Sequence, residues 1–266
     1  MDTLGFIGVG HMASAILDTI LEKRLLPAQN ILLFDINPAQ MDRYLAQGMR
    51  AAASSLELAE QSVIVVLAVK PQVLGDVLDE IAPVSAEGRF ISIAAGVTSA
   101  YIRQRLDASA FVARVMPNAP LTLAAGATVI AQDDTLPPEM ARFVERMFSS
   151  MGTVAFLPED KLNEVIGVSG SSPAFFFRLA HVMARTAEEQ GIPYETALDL
   201  IAQTMAGSAQ MLKRDKNPEA LISMVASPGG TTEAAMQSLD RDVFDLTIRN
   251  AMLWCTERAY ELGKDE

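Results

Sequence analysis

The hydrophobic pattern of the chain changes its period once, and this change constrains the fold more than any other feature of the sequence. Up to about residue 155, short apolar runs alternate with amphipathic stretches, whereas from Leu162 onward only long stretches with a helical period occur. Strands that alternate with helices of this length are typical of repeated βαβ units on a parallel sheet. The sequence therefore predicts a doubly wound, mostly parallel α/β domain over residues 1–155 and an all-α domain over residues 156–266.

The individual elements follow from the apolar runs and from the residues that punctuate them. Strands are predicted at Leu4–Ile7, Ile31–Phe34, Val63–Val69, Phe90–Ala94, Phe111–Val115 and Ala127–Ala131. In the same part of the chain, helices are predicted at His11–Lys23, Pro38–Gln47, Val73–Ile81 and Pro138–Ser150. In the second part, helices are predicted at Ser172–Gln190, Tyr194–Lys213, Glu219–Val225, Thr231–Leu239 and Val243–Leu262. Glycine and proline separate some of these helices, at residues 191–193 and 217–218.

Charge and hydropathy exclude several classes of partner. The net charge is −12 and no long basic run is present, which argues against a nucleic-acid partner. The longest apolar run, Val63–Val69, is too short to span a bilayer. The first residues have neither a cationic start nor a cleavage site, and Cys255 is the only cysteine. We therefore expect a cytoplasmic protein without a membrane partner, an internal disulfide or a metal site.

The helical half predicts association with a second copy of the chain. It comprises about 110 residues, and segments such as "MLWCTERAYEL" and "FFFRLAHVMA" carry many apolar residues. Such a surface exceeds what a small monomeric bundle needs to bury. We therefore expect a homodimer at minimum, and larger assemblies of such dimers remain open.

A glycine-rich turn follows the first predicted strand directly. Its pattern is G-x-G-x-x-A, and it lies at the start of a predicted helix. Gly8 permits the tight turn, Gly10 lets the backbone approach a pyrophosphate, and Ala13 allows close helix–sheet packing. The helix N-terminus then offers unpaired N–H groups to the phosphates. The motif predicts a Rossmann-type dinucleotide site formed by Gly8, Val9, Gly10, His11, Met12 and Ala13.

Asp35 ends the second predicted strand. An acid about 20 residues beyond the glycine motif usually receives the ribose hydroxyls of NAD, and its charge repels the 2′-phosphate of NADP. No arginine lies in the next few positions, and Arg43 on the following helix is the nearest candidate to bind that phosphate. Asp35 therefore favours NADH. The alternative is that Asp35 only opens the turn before Pro38.

Three later strands end in small or backbone-exposing residues. These segments are "VLAVKPQ" (Val66–Gln72), "SIAAGV" (Ser92–Val97) and "RVMPNAP" (Arg114–Pro120). Open α/β sheets bind their ligands at the carboxyl edge, so the three strand ends predict a cleft beside the nicotinamide. The alternative is that they are three unrelated surface turns.

A second glycine-rich helix start lies in the helical half, within "VASPGGTTEAAMQSL" (residues 225–239). We expect Gly229 and Gly230 to leave their backbone N–H groups bare, and Thr231 and Thr232 to add hydroxyls. No strand precedes this segment, so it suits a carboxylate better than a nucleotide. A similar opening of small residues lies upstream at Gly170–Ala174. The alternative for both segments is an ordinary helix cap.

Taken together, these motifs resemble those of the pyrroline-5-carboxylate reductase family over essentially the whole chain. The segments that carry the resemblance are "FIGVGHMASAI", "AVKP", "SIAAGV", "MPN", "GVSGSSPA" and, above all, "VASPGGTT". The resemblance implies a Rossmann-type domain followed by an all-α dimerisation domain. It also implies reduction of 1-pyrroline-5-carboxylate to L-proline with NADPH or NADH, the last step of proline biosynthesis.

The resemblance also implies the roles of individual residues. Besides the glycine motif, the implied cofactor contacts are Ser55, Ala68, Val69, Lys70, Pro71, Ala94, Ala95 and Gly96. The implied substrate contacts are Ser227, Gly229, Gly230, Thr231 and Thr232. Thr232 would lie nearest the ring nitrogen and is the first candidate for the catalytic hydrogen bond there, with Lys70 as the second. Family members often carry Ser, Thr or Asn where this chain has Asp35, which leaves the choice between NADPH and NADH open.

Two other functions are compatible with this architecture. The β-hydroxyacid dehydrogenases use a lysine in the helical domain, but Lys161 and Lys213 lack the surrounding glycine and asparagine of that group. A dinucleotide sensor without turnover needs only the first of the two anion sites. A histidine acid is not expected, because His11 lies in the phosphate loop and His181 in the middle of a helix.

Overall fold

The computed structural model describes residues 3–263, which form two compact units. One unit contains the chain up to Ser171 together with the residues from Leu253 onward, and the other contains Ser172–Met252. The last turns of the final helix thus belong to the same unit as the sheet. The division into domains at residue 155 stays a prediction.

The first unit is built on an eight-stranded sheet with the order β3-β2-β1-β4-β5-β6-β7-β8. The strands are β1 (Leu4–Ile7), β2 (Ile31–Phe34), β3 (Arg50–Ala51), β4 (Ile64–Leu67), β5 (Arg89–Ser92), β6 (Phe111–Met116), β7 (Gly126–Ala131) and β8 (Gly152–Leu157). The pairing of β6 with β7 is antiparallel and the other pairings are parallel. The predicted doubly wound, mostly parallel sheet is confirmed.

The direction of strand addition reverses at β1, since β2 lies on one side of it and β4 on the other. Ligands of open α/β sheets bind at such a switch point, outside the carboxyl ends of the strands. The glycine motif follows β1, so the fold brings it to this point.

Helices cover both faces of the sheet. They are α1 (His11–Glu22), α2 (Asp42–Leu45), α3 (Ser55–Gln61), α4 (Pro71–Ile81), α5 (Ser99–Arg105), α6 (Pro138–Ser149) and α7 (Leu162–Val165). Side chains along a strand point alternately to the two faces. Accordingly, Phe6 lies in an apolar cluster with α1 and α6, and Ile7 lies in a second cluster with α3, α4 and α5.

Several sequence-based element predictions need correction. The strands β3 and β8 and the helices α3, α5 and α7 were not predicted. The segment Pro38–Gln47 is a single 3-10 turn followed by the short α2, not one helix. The strands predicted to reach Val69 and Ala94 end at Leu67 and Ser92, where the chain turns towards α4 and α5. The strand β8 forms the edge of the sheet and lies where the change of hydrophobic period predicts the boundary between the two parts of the chain.

The second unit consists of helices, as predicted. They are α8 (Ser172–Glu189), α9 (Tyr194–Asp215), α10 (Pro218–Val225), α11 (Thr231–Arg241) and the first part of α12 (Phe244–Leu262). In α8–α11, the buried apolar side chains among the described residues are those of Ala180, Ala184 and Ala197. Large apolar side chains remain exposed, with Phe177 at 70%. Apolar faces of this extent are typical of association surfaces.

No helix among residues 3–263 is long and apolar enough to cross a membrane.

Candidate active site

The turn after β1 has the geometry that a dinucleotide site requires. Gly8 adopts a φ of +92°, and a Cβ atom there would lie 2.8 Å from the carbonyl oxygen of Ala68. A side chain is therefore excluded by both backbone conformation and space. Gly10 is the N-cap residue of α1, and a Cβ atom at Gly10 would meet nothing within 4 Å. The first turn of α1 is thus approachable, and the residues present fit a pyrophosphate.

Asp35 is connected directly to this turn. Its Oδ2 accepts a hydrogen bond from the backbone N–H of Val9 at 2.7 Å, and its Oδ1 accepts one from Asn37 N–H at 2.8 Å. Both readings of Asp35 from the sequence are therefore compatible with the structure, because the carboxylate orders the Asn37 turn and also lies against the glycine loop. Arg43 forms an ion pair with Asp18 at 3.0 Å and is already engaged.

The ends of β4 and β5 provide the next two loops. Pro71 starts α4, and Lys70 is the exposed N-cap residue of that helix. Gly96 has a φ of +85°, and a Cβ atom there would lie 2.5 Å from the carbonyl oxygen of Ala259 in α12. The predicted cofactor loop at residues 94–96 therefore packs against the C-terminal part of α12. The sequence analysis did not predict this packing.

Ser55 is a buried residue at the start of α3. It opens α3 and is only 1% exposed, while its neighbour Ser54 caps the helix by accepting a hydrogen bond from Glu57 N–H at 3.0 Å. The Oγ atom of Ser55 has no hydrogen-bond partner among the described residues. A buried hydroxyl without a hydrogen-bond partner destabilises the folded protein, unless a ligand or water forms a hydrogen bond with it. The unpaired Ser55 hydroxyl is compatible with the cofactor contact that the family resemblance implies there.

A buried arginine holds the far end of the 94–96 loop. Arg114, at the end of β6, is 2% exposed, and its Nη2 donates to Asn163 Oδ1 at 2.8 Å. Its Nη1 lies 3.6 Å from Glu159 Oε1, and Glu159 accepts hydrogen bonds from the backbone N–H and the hydroxyl of Ser99, both at 2.6 Å. Burial lowers the pKa of the Arg114 guanidinium, and the Glu159 charge partly offsets this. Because Ser99 starts α5, the network fixes the chain just after the loop.

Replacing Arg114 by methionine is expected to lower the free energy of unfolding by about 2 kcal/mol, because Asn163 and Glu159 lose a buried donor. Thermal or urea denaturation measures this change. The matched control is Arg89→Met, which removes a partly exposed ion pair with Glu139 and should cost at most about 1 kcal/mol. Equal destabilisation by the two substitutions would contradict the assigned role of Arg114.

The segment "RVMPN" has a structural role at Asn118. This side chain is 6% exposed, its Oδ1 accepts a hydrogen bond from Ala127 N–H at 2.8 Å, and its Nδ2 donates to Ser169 O at 3.0 Å. Asn118 thus fixes the end of β6 to β7 and to the segment that leads into α8. In that segment, residues 166–170 form a π-helical turn before Ser172 starts α8.

The glycine-rich start of α11 differs from the expectation in one respect. Gly229 has a φ of +71°, and its N–H donates to Glu233 Oε2 at 2.8 Å. The N–H of Gly230 donates to Ser227 O at 3.0 Å. The two glycine N–H groups are therefore not bare, because both close hydrogen bonds within the loop. The glycines shape the turn, and other groups are available for an anion.

Those other groups belong to the first turn of α11. The first backbone hydrogen bond of the helix runs from Ala234 N–H to Gly230 O at 3.3 Å, and Gly230 offers no side-chain cap. The N–H groups of Thr231, Thr232 and Glu233 precede this bond and have no acceptor within the helix. Together with the two threonine hydroxyls, these N–H groups are donors of the kind that an anion at a helix start requires.

The two histidines lie at different places in the fold, one in the glycine loop and one in the helical unit. His11 is exposed at the start of α1. The Nδ1 atom of His181 lies 3.1 Å from the hydroxyl of Tyr194, on the surface of the helical unit. The described residues also contain no group of three or more His, Cys, Asp or Glu that could hold a metal ion.

A glycine turn of the dinucleotide type at the switch point of a mostly parallel sheet, together with a separate helical unit, is typical of dinucleotide-dependent oxidoreductases. Comparison with known families narrows this class. The family described as "Pyrroline-5-carboxylate reductase dimerisation" matches residues 159–262, and "NADP oxidoreductase coenzyme F420-dependent" matches residues 3–96.

Curated relatives and solved structures agree with these matches. Pyrroline-5-carboxylate reductases of Methanosarcina acetivorans and Escherichia coli K12 are each 36% identical, over 98% of this chain and 98% of theirs. The crystal structure of Plasmodium falciparum pyrroline carboxylate reductase with NADP bound matches with a TM-score of 0.89 and 26% identity, covering 98% of both chains. The solved structure of a pyrroline-5-carboxylate reductase from Coxiella burnetii matches with a TM-score of 0.87 and 30% identity, again over 98% of both chains. The chain belongs to the pyrroline-5-carboxylate reductase family.

Proposed function

We propose that this protein reduces 1-pyrroline-5-carboxylate to L-proline with NADPH or NADH, in the final step of proline biosynthesis. The observation that carries this proposal is the 36% identity to curated reductases along 98% of the chain, which includes both ligand motifs. The same similarity argues against a β-hydroxyacid dehydrogenase and against a sensor without turnover.

The proposal is tested by measuring the oxidised dinucleotide and L-proline in the same reaction. The purified protein should oxidise NADPH or NADH only when 1-pyrroline-5-carboxylate is added, and one L-proline should form for each dinucleotide oxidised. A sensor would bind the dinucleotide without this turnover. A β-hydroxyacid dehydrogenase would instead oxidise hydroxy acids with NAD⁺ or NADP⁺. Either result would contradict the proposal.

The chemistry requires mainly that the protein positions its ligands. A protonated imine is already a strong electrophile, and the dinucleotide supplies the hydride when bound. The loop at residues 8–13, with Asp35, Ser55 and the loops at 68–71 and 94–96, fits the binding of that cofactor. Lys70 is exposed at the carboxyl edge of the sheet and is proposed to contact the cofactor. It is also the second candidate for a hydrogen bond to the substrate.

The start of α11 is proposed to hold the substrate, and we call residues 227–232 the substrate cradle. The N–H groups of Thr231 and Thr232 would bind the carboxylate, while Ser227, Gly229 and Gly230 fix the shape of the loop. The hydroxyl of Thr232 would steady the proton on the ring nitrogen as the positive charge of the imine is lost. The free first-turn N–H groups of α11 support this assignment.

Replacing Asp35 by asparagine is expected to raise the ratio of kcat/KM for NADPH to kcat/KM for NADH about tenfold. The reason is that one like-charge contact of ~1.4 kcal/mol with the 2′-phosphate is removed. Steady-state kinetics with each cofactor gives this ratio. The substitution also weakens the hydrogen bond from Val9 N–H to residue 35, but this change affects both cofactors and largely cancels in the ratio. Arg43→Gln is the control, because Arg43 is already paired with Asp18 and its loss should leave the ratio unchanged. An unchanged ratio in the Asp35 variant would show that Asp35 does not discriminate between the 2′-hydroxyl of NADH and the 2′-phosphate of NADPH.

We also propose that the protein is a cytoplasmic homodimer or a larger assembly of dimers, without a nucleic-acid partner. The exposed apolar side chains of the helical unit and the match to a dimerisation family support association. The net charge of −12 disfavours nucleic acid. Light scattering that finds only a 28.6 kDa species at micromolar concentration would contradict a dimer.

A further inference from the structure

Glu233 directly follows the substrate cradle and lies in the first turn of α11. It is the acidic residue of the first turn of α11, and its Oε2 accepts a hydrogen bond from Gly229 N–H at 2.8 Å. We infer that Glu233 is a positioning and affinity-setting residue: its side chain holds the Gly229 turn in shape, and its negative charge weakens binding of the substrate carboxylate. This inference rests on the proposed binding of that carboxylate at the start of α11.

The positioning effect follows from how few bonds fix the loop. Gly229 is in the left-handed region, at a φ of +71°, and a Cβ atom there would meet nothing within 4 Å. Neighbouring side chains therefore do not hold this residue in place. The loop is closed by the bond from Gly230 N–H to Ser227 O and by the bond from Gly229 N–H to Glu233. Since glycine has wide conformational freedom, loss of the second bond would let the turn explore other shapes.

The affinity effect follows from charge. A carboxylate in the first turn is stabilised by the positive pole of the helix, and the proposed substrate carboxylate uses the same pole. Two anions then share one helix start, and they repel each other. Between partly exposed charges several ångströms apart, a repulsion of this kind changes a dissociation constant about two- to fivefold. Glu233 thus makes substrate binding weaker than the loop geometry alone would allow.

The two effects have opposite signs, so a pair of substitutions separates them. Glu233→Gln keeps an oxygen that can accept from Gly229 N–H and removes the charge. The KM for 1-pyrroline-5-carboxylate should therefore fall about two- to fivefold. Glu233→Ala removes both the acceptor and the charge. Because the loop then loses its order, this KM should rise about three- to tenfold above that of the wild type. In both variants, kcat and the KM for the dinucleotide should stay within about twofold of the wild type.

The alternative is that Glu233 is only a helix cap, in which case its loss lowers thermal stability and leaves KM alone. Glu195→Gln is the matched control, because Glu195 is an exposed acidic residue in the first turn of α9, away from the loop. Its KM values should equal those of the wild type. Melting temperatures of all three variants are measured on the same preparations as the kinetics.

A KM for 1-pyrroline-5-carboxylate that stays unchanged or rises in Glu233→Gln would overturn the inference, whether or not the alanine variant folds. A wild-type protein that does not oxidise dinucleotide with this substrate would instead contradict the proposed function itself. The two failures are therefore distinguishable.

Discussion

Replacing Thr232 by alanine is expected to lower kcat/KM for 1-pyrroline-5-carboxylate about ten- to a hundred-and-fifty-fold. The substitution keeps the backbone donors of the α11 start and removes the hydroxyl proposed to face the ring nitrogen. A hydrogen bond to a charged partner contributes roughly 1.5–3 kcal/mol, which corresponds to this range of rates. If the hydroxyl acts mainly in the transition state, most of the loss will appear in kcat.

The control for this prediction is Thr232→Ser, which restores a hydroxyl at the same position and should recover most of the activity. Steady-state kinetics and melting temperature are measured on one preparation of each variant. A different role for Thr232, as a cap of α11 alone, would appear as a lower melting temperature with near wild-type activity per folded molecule. Such a result would show that the Thr232 hydroxyl has no catalytic role.

Replacing Gly230 by valine is expected to raise the KM for 1-pyrroline-5-carboxylate steeply and to lower kcat/KM about a hundredfold. A Cβ atom at Gly230 would lie 2.9 Å from the carbonyl oxygen of Ser227 and 3.0 Å from its Oγ. The loop must therefore shift, and two hydrogen bonds to the substrate carboxylate at about 1.5 kcal/mol each are lost with it.

Cofactor affinity serves as the internal control for the Gly230 variant. The residues proposed to bind the dinucleotide belong to the unit that carries the sheet, whereas Gly230 belongs to the helical unit. The dissociation constant for NADPH, measured by fluorescence titration, should therefore match that of the wild type. A variant that loses cofactor and substrate affinity equally would indicate general misfolding and would not support the cradle.

The sheet was largely predictable because its inner strands are continuous apolar runs. Strands such as β1 and β4 are buried on both faces, and each has a clear boundary in glycine, proline or polar residues. The edge strands β3 and β8 were missed for different reasons. β3 has only two residues, whereas β8 lies at the change of hydrophobic period near residue 155, which predicts a domain boundary there. The helical period of α12 predicted a helix. The period alone does not predict that the residues from Leu253 onward belong to the unit that contains the sheet.

In the candidate site, too, features fixed by a local motif were predictable from the sequence, whereas contacts between residues far apart in the chain were not. The turn at Gly8–Ala13 was predictable, because the motif itself specifies the backbone conformation. The buried network of Arg114 was not, since its partners Glu159 and Asn163 lie far along the chain and the pairing arises from the fold. The bond from Gly229 to Glu233 spans four residues, yet it depends on the left-handed turn at Gly229, which the sequence leaves open because glycine permits many conformations.

A crystal structure of the protein with L-proline and an oxidised dinucleotide tests the central claim most directly. The account predicts that the carboxylate of proline accepts hydrogen bonds from the backbone N–H groups of Thr231 and Thr232. It further predicts that the ring nitrogen lies within hydrogen-bond distance of the Thr232 hydroxyl. Proline bound elsewhere, with the start of α11 free of any contact to its carboxylate, would contradict the assignment of the substrate cradle.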